Sequence, residues 1–180
     1  AFLWFMMQSE IVRIPYERIA VIIGKAGITK AEIEKKTSTK LDIDSESGEV
    51  EIKTKNPGEK YIKAMSIVKA IGRGFSPEHA YRLLEENCFL YVVELDELAK
   101  TEKQIVRKKG RVIGKGGRAR EEIEEDTGAL ISVYGKTIAI IGNEAEIDKA
   151  KRSIDMLLEG AAHEKVFEFL KKPSDKKFEL

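Results

Sequence analysis

Two short glycine-lysine segments are the parts of this chain best able to do chemistry: Gly24-Lys25-Ala26-Gly27 and Gly114-Lys115-Gly116-Gly117. Glycines let a main chain approach a phosphate with no Cβ in the way, and a lysine between them adds a mobile counter-charge. A helix starting directly after such a loop presents free amides and the positive end of its dipole to an anion at the same point. The surrounding charge distinguishes the two segments. From Lys103 to Arg120 there are eight cations (Lys103, Arg107, Lys108, Lys109, Arg111, Lys115, Arg118 and Arg120) and no acid. Residues 13–30 carry four cations (Arg13, Arg18, Lys25 and Lys30) and one acid, Glu17. The second segment is therefore expected to be the better anion site. Arg118 and Arg120 also fall at the start of an expected helix, where positive charge opposes the dipole by roughly 0.3 to 1 kcal/mol each. A local rule broken beside such a loop points to a ligand. The competing reading is a solvated helix whose cations face Glu121, Glu122, Glu124, Glu125 and Asp126. Arg118–Glu122 and Arg120–Glu124 have the i,i+4 spacing for this, in the less favourable order, and exposed pairs give only about 0 to 1 kcal/mol.

Other chemistries fit poorly. A nucleotide-hydrolase phosphate loop needs four residues between its first glycine and Gly-Lys, then Ser or Thr for magnesium. Gly110 to Gly116 offers three, with Gly116 where the hydroxyl should be. Gly114, Gly116 and Ala119 approximate a dinucleotide fingerprint, but that motif follows a strand directly, and the residues before Gly114 read as helical. One cysteine, Cys88, excludes an intramolecular disulfide and, in the apolar run CFLYVV, reads as a buried thiol rather than a nucleophile. His79 and His163 stand far apart, so no zinc-type cluster and no metal or other cofactor is implied. A nuclease would need paired carboxylates for magnesium, and the acids here form surface runs instead. Tyr134 is a candidate for base stacking, weighed against core or edge packing.

The elements that must position these loops come from an internal repeat. Shifted by 90 residues, Ile23–Gly27 lies on Ile113–Gly117, Ile33 on Ile123, Thr37 on Thr127, Leu41 on Ile131 and Ile43 on Val133. Beyond a turn that is longer in the first copy (44–49) than in the second (Gly135, Lys136), the expected offset drops to 86, matching Tyr61, Ala64, Val68 and Ile71 with Ile147, Ala150, Ile154 and Leu157. Apolar period and turn residues give each copy the order strand, helix, helix, strand, strand, helix. In the first these are 10–14, 16–23, 28–37, 40–44, 49–54 and a helix opened by Asn56-Pro57. In the second they are 89–94, 101–113, 118–127, 130–134, 137–141 and 144–158. Breakers at Gly72–Pro77 separate the copies, Pro77–Glu86 reads as a connecting helix, and Ala161–Lys172 as an extra amphipathic helix ended by Pro173, with a frayed tail.

Composition agrees with two small soluble domains. The 180 residues are 42% hydrophobic and 35% charged, with 32 Lys and Arg against 31 Asp and Glu. Such a balance fills small cores under an ionic surface and argues against a disordered or membrane protein. A reducing, cytoplasmic setting is the expectation from the lone cysteine. The apolar run Ala1–Met7 is too short to span a membrane and reads as a strand or extension packed on the protein, with Trp4 anchored in apolar surface, or as a vector-derived remnant.

The segments VIIGKAGITKAEIEKKTSTKLDI and RVIGKGGRAREEIEEDTGALISV resemble type I KH domains, in which a Gly-x-x-Gly turn joins two helices and clamps about four nucleotides. The resemblance covers Glu10 to Leu158, and two such loops in register within matching units are a specific signal. The tandem pair is similar to the archaeal branch of the two-KH small-subunit ribosome assembly proteins, known in eukaryotes as partners of the Nob endonuclease. The resemblance implies an α+β fold of two βααββα domains, each a three-stranded sheet packed by three helices, joined by a helical linker and followed by a C-terminal helix. The expected divisions are 1–9, 10–74, 75–87, 88–160 and 161–180. It also implies single-stranded RNA binding near the 3′ end of small-subunit ribosomal RNA, with a maturation endonuclease or the alpha subunit of translation initiation factor two as partners. In the eukaryotic relatives the first loop is degenerate, whereas Gly24–Gly27 here is intact. The expected contacts are Lys109, Arg111, Lys115, Arg118 and Arg120 to phosphates, Gly114–Gly117 for close backbone approach, and Ile113, Ile123, Ile131 and Val133 as an apolar floor for bases, with Gly24, Lys25, Ala26 and Gly27 as the weaker counterpart. The alternative in another class is a protein-docking adaptor that keeps KH folds without using RNA.

Overall fold

The computed structural model describes residues 7–173; residues 1–6, Trp4 among them, and the tail beyond Pro173 lie outside them, with the expectations made for both. The chain divides between Leu90 and Tyr91 into two compact units. The first contains β1 (Gln8–Arg13), α1 (Tyr16–Ile23), α2 (Ile28–Thr37), β2 (Lys40–Asp44), β3 (Glu49–Thr54), α3 (Glu59–Gly72) and the short α4 (Pro77–Ala80). The second is built on β4 (Phe89–Glu94), α5 (Glu102–Ile113), α6 (Arg118–Thr127), β5 (Leu130–Tyr134), β6 (Thr137–Gly142), α7 (Glu144–Leu158) and α8 (His163–Lys171). The sheets have the strand orders β1-β3-β2 and β4-β6-β5, so in each the last strand in sequence lies in the middle.

Period-two alternation sets the buried face. On β3 the buried Val50, Ile52 and Thr54 alternate with Glu49, Glu51 and Lys53. Leu41 pairs with Ile52 and Ile43 with Val50, while Ile131 pairs with Ile140 and Val133 with Ile138. These registers correct the expected single offset of 86 after the hairpin. Leu41 and Ile131 differ by 90, but their partners Ile52 and Ile140 differ by 88. The fully buried pairs Ala64 and Ala150, Val68 and Ile154, Ile71 and Leu157 then differ by 86. Half of the shift is absorbed in the hairpin turn and half between β3 and α3, where residues 55–58 do the work of the shorter link around Asn143. The longer first hairpin holds itself through Asp44, whose Oδ1 accepts from the amides of Glu46 (2.9 Å) and Ser47 (3.3 Å).

The connecting helix is shorter than expected. Ser76 caps it by accepting from the His79 amide (3.3 Å), with Pro77 at its first position. After Ala80 it tightens into a 3₁₀ turn over Tyr81–Leu84. The Lys63 ammonium donates to the carbonyls of Leu84 (3.0 Å) and Glu85 (2.6 Å), so this segment closes against α3. In the second unit Leu95, Ile105, Val112, Ile123, Ile140 and Ile154 form the buried core, and α8 adds Val166 and Leu170 to it.

Candidate nucleic-acid interface

Both glycine loops are short 3₁₀ turns, Lys25–Gly27 and Lys115–Gly117, each leading straight into a helix. Their backbones agree closely: Gly24 has φ 72° and ψ 173°, Gly114 has φ 73° and ψ 175°. That region is essentially closed to any residue but glycine. The first glycine of each loop also has no room for a side chain. A Cβ at Gly24 would stand 2.2 Å from Thr29 Oγ1, and one at Gly114 2.6 Å from Ala119 Cβ. The inner positions differ in kind. Ala26 (φ 52°) and Gly116 (φ 62°) are left-handed, and a Cβ at Gly27 or Gly116 meets nothing within 4 Å. At Gly117 the nearest atom is Glu121 Oε1 at 4.0 Å. Thus the first glycine is fixed by backbone and space together, whereas Gly27 and Gly117 (φ 74° and 79°) answer only to a left-handed backbone and, with Gly116, leave open space around the loop.

No side chain caps α6 at its N-terminus, whereas Thr101 caps α5 and an Asn143–Glu146 capping box closes α7. Lys115 and Arg118 at this uncapped start, and Lys103, Arg107 and Lys109 along the preceding α5, have no ion-pair partner among the described residues. The Arg118–Glu122 and Arg120–Glu124 pairs of the solvated-helix reading do not form. Glu124 instead accepts from the Ile131 amide (2.7 Å), as Glu34 does from Leu41 (2.9 Å), so each unit ties its second helix to its edge strand. In the first unit Arg13 is bonded to Glu49 and Lys30 lies 4.0 Å from Glu34, leaving Lys25 as the loop's cation.

Three expected contact residues are placed elsewhere. The Arg111 guanidinium donates from Nε to the Leu157 carbonyl (2.7 Å) and from Nη2 to that of Ala161, while Lys108 takes Leu158 (2.9 Å). These cations close the C-terminus of α7, where the Leu157 carbonyl also accepts from the Gly160 amide (3.2 Å), and do not face the loop. Arg18 does the same in the first unit, donating to Ile71 (2.8 Å) and Phe75 (2.7 Å), the counterparts of Leu157 and Ala161. Sequence reasoning missed this clamp because the two arginines stand one helical turn apart in the repeat. Ile123 and Ile131, expected in the base floor, are 0% and 2% exposed and belong to the core. Both pack in the core cluster with Leu95, Val112 and Ile140, so they offer no surface to a base. Ile113 and Val133 are half-buried and still border the loop side. Arg120 is also half-buried, with Nη1 3.5 Å from the Ile131 carbonyl.

The remaining candidates are structural. Cys88 is buried just before β4. His163 donates from Nε2 to the Arg111 carbonyl (3.1 Å), bracing the clamp from α8. Tyr134 is half-buried on the edge strand. Among the described residues no group of three or more His, Cys, Asp and Glu is placed to hold a metal, and no helix is long and apolar enough to cross a membrane.

Comparison with known proteins agrees with this geometry. Residues 89–175 match the family described as eukaryotic type KH-domain (KH-domain type I), and residues 9–68 match the KH domain. A KH domain-containing protein of Methanocaldococcus jannaschii is 45% identical, over 95% of this chain and 78% of that protein. The crystal structure of Dim2p from Pyrococcus horikoshii is 50% identical with a TM-score of 0.86, covering 92% of this chain and 99% of the other. A second Pyrococcus horikoshii structure, of aDim2p in a complex with a/eIF2alpha and rRNA, is 49% identical with a TM-score of 0.87, covering 93% and 94%. With its two KH domains and this identity over 78% to 99% of these relatives' lengths, the chain belongs to the archaeal Dim2p family.

Proposed function

We propose that this protein binds single-stranded ribosomal RNA through its second KH loop and acts in assembly of the small ribosomal subunit, without catalysing a reaction. The observation that carries the reading is the second loop itself: bare backbone at Gly116 and Gly117, an uncapped helix start, and unpartnered Lys109, Lys115 and Arg118 beside it. Phosphates would sit at the α6 N-terminus between these cations, with Arg120 in reach, and Ile113 and Val133 would border the bases. Phosphate contacts set affinity and its salt dependence, and contacts to base edges set sequence preference. The crystallised complex of the Pyrococcus horikoshii relative with a/eIF2alpha and rRNA supports both an RNA segment and that initiation-factor subunit as partners. The 3′ end of the small-subunit RNA is the segment we assign, and a maturation endonuclease is the further partner this location would bring close. The first loop has the same backbone and lacks the surrounding cations, so it is assigned the weaker contact.

Anisotropy of a short single-stranded RNA copying that 3′ end, over a salt series and beside a scrambled RNA, tests this. Three phosphate contacts predict a log–log salt slope near −2, at about 0.7 per contact for single strands. Gly116→Asp should abolish preferential binding and leave the fold intact, because Ala26 already occupies the same backbone position in the first unit. Equal, weak binding of both RNAs, unaffected by this substitution, would refute the RNA reading and favour a protein-docking adaptor. RNA cleavage in the same reactions would refute the non-catalytic part.

A further inference from the structure

Beyond Lys25 and Lys30, the first unit carries lysines away from its own glycine loop. They gather at the opposite end of α2, where a cleft of about 650 Å³ opens between the helix and the ends of β2 and β3. It is lined by Lys35, Ser38, Thr39, Lys40, Thr54 and Lys55, with Glu34 as its carboxylate. Glu34 is already engaged, by the Leu41 amide (2.9 Å) and by Lys40 (3.7 Å). Lys53, also on the rim, is held by Glu51 (3.0 Å) and Asp42 (3.3 Å). Lys35 and Lys55 are exposed and have no ion-pair partner among the described residues. The dipole of α2 accounts for a lysine at position 35, but not for Lys55, which follows a strand.

The second unit shows what this corner of the fold accommodates. There Lys35 is replaced by Glu125 and Lys40 by Leu130, so the cations are no requirement of the architecture. A carboxylate fills the corner instead: Glu146 places its Oε1 2.9 Å from where a Cβ of Gly128 would stand and its Oε2 2.8 Å from that of Gly142. By the registers above, Gly128 and Gly142 correspond to Ser38 and Thr54. Both line the open cleft of the first unit, and the residue matching Glu146 is Lys60. One copy of the fold thus fills this corner with a carboxylate of its own, whereas in the other the lining carboxylate, Glu34, is already engaged, the hydroxyls of Thr39 and Thr54 are bonded to Thr37 and Asn56, and the exposed Ser38, Lys35 and Lys55 line the cleft.

We infer that the Lys35–Lys55 cleft receives an anion from outside the chain, a phosphate of an RNA backbone, and that the first unit touches RNA here rather than chiefly at Gly24–Gly27. This rests on the RNA reading above. The cleft and the first loop lie at the two ends of α2, about 15 Å apart for ten residues at 1.5 Å each, so both can follow one strand.

The test uses the full chain and an RNA of about 20 nucleotides ending in the proposed 3′ sequence. Lys35→Glu with Lys55→Glu should raise Kd about 5- to 20-fold and lower the salt slope by about 1.4, two contacts at about 0.7 each, with thermal stability unchanged. Wild-type amides of Ser38, Thr39 and Lys55 should shift in NMR spectra on adding the RNA. Unchanged Kd and slope with no shifts there, while Gly116→Asp still abolishes binding, would overturn the cleft and leave the second-loop reading standing. Failure of the wild type to bind any RNA would overturn both. Shifts with a polyglutamate peptide and none with RNA would overturn the assignment in favour of an acidic protein segment.

Discussion

Replacing Arg111 with alanine separates a phosphate contact from a structural clamp. The guanidinium makes two charge-assisted hydrogen bonds, to the carbonyls of Leu157 and Ala161, in a half-buried position between α5 and the end of α7. Hydrogen bonds to charged groups contribute about 1.5 to 3 kcal/mol each. Water can reach these carbonyls once the side chain is gone, so the lower end applies to each, and the loss should be about 2 to 4 kcal/mol. For a unit of this size that lowers the unfolding midpoint by roughly 8 to 32 °C, at about 4 to 8 °C per kcal/mol. Circular dichroism melts and amide exchange over α7 would read it, and Arg111→Lys, which keeps the charge and one bond, should recover part of the loss. The salt slope of RNA binding by the folded variant should stay at the wild-type value. Stability within about 0.5 kcal/mol of wild type, with a slope reduced by about 0.7, would place Arg111 on a phosphate and refute the clamp.

Gly114→Ala should destabilise the second unit by about 2 to 5 kcal/mol, because it combines a glycine-only backbone with a Cβ driven to 2.6 Å from that of Ala119; a urea midpoint equal to wild type would show that the loop can rearrange. Tyr61→Phe should be neutral or stabilising by up to about 1 kcal/mol, since the hydroxyl is buried with no partner in the structure and its counterpart in the repeat is Ile147; a loss above that in chemical denaturation would mean the hydroxyl is hydrogen-bonded. Tyr81 is held protonated above its ordinary value of 10.0, first by burial and then by donating to Glu32 (3.0 Å). The folded chain binds this proton more tightly than the unfolded one, so the stabilisation is complete below pH 10 and is lost as pH rises beyond it. Tyr81→Phe should flatten the fall of stability between pH 10 and 11.5, and identical alkaline profiles for the two proteins would contradict the assignment.

Much of the fold was legible because the two copies constrain each other. The helices at Tyr16–Ile23, Ile28–Thr37, Arg118–Thr127 and Glu144–Leu158 follow from apolar period and bounding glycines or caps. The second step in the repeat offset was not legible, since only the pairing of Ile52 with Leu41 and of Ile140 with Ile131 shows where the chain takes up its extra residues. The glycine loops were readable as a place, but the floor beneath them was not. An isoleucine beside a loop looks the same in sequence whether it borders the surface, as Ile113 does, or is sealed in the core, as Ile123 is. Counting cations failed at Lys108 and Arg111 for a related reason: their acceptors are main-chain carbonyls 46 to 50 residues away, which leave no trace in residue type.

The repeat supplies its own control for separating structure from function. Gly24 and Gly114 share a backbone only glycine allows and lack space for a Cβ, so their identity is demanded by folding. Glu34 and Glu124 tie helix to strand in both copies, and Arg18 and Arg111 reach the same two carbonyl positions from different turns. A contact preserved although its donor has moved in sequence is one the architecture needs. What only one copy has is free of that demand. The unpartnered Lys109 and Arg118 of the second unit, and Lys35 and Lys55 of the first, satisfy no carbonyl and no carboxylate. Clustered cations without internal anions repel one another, and a partner that brings negative charge removes that repulsion. Arg118 starts α6 and Lys35 lies in the last turn of α2, so the cations that folding does not demand stand at opposite ends of the second helix in the two units.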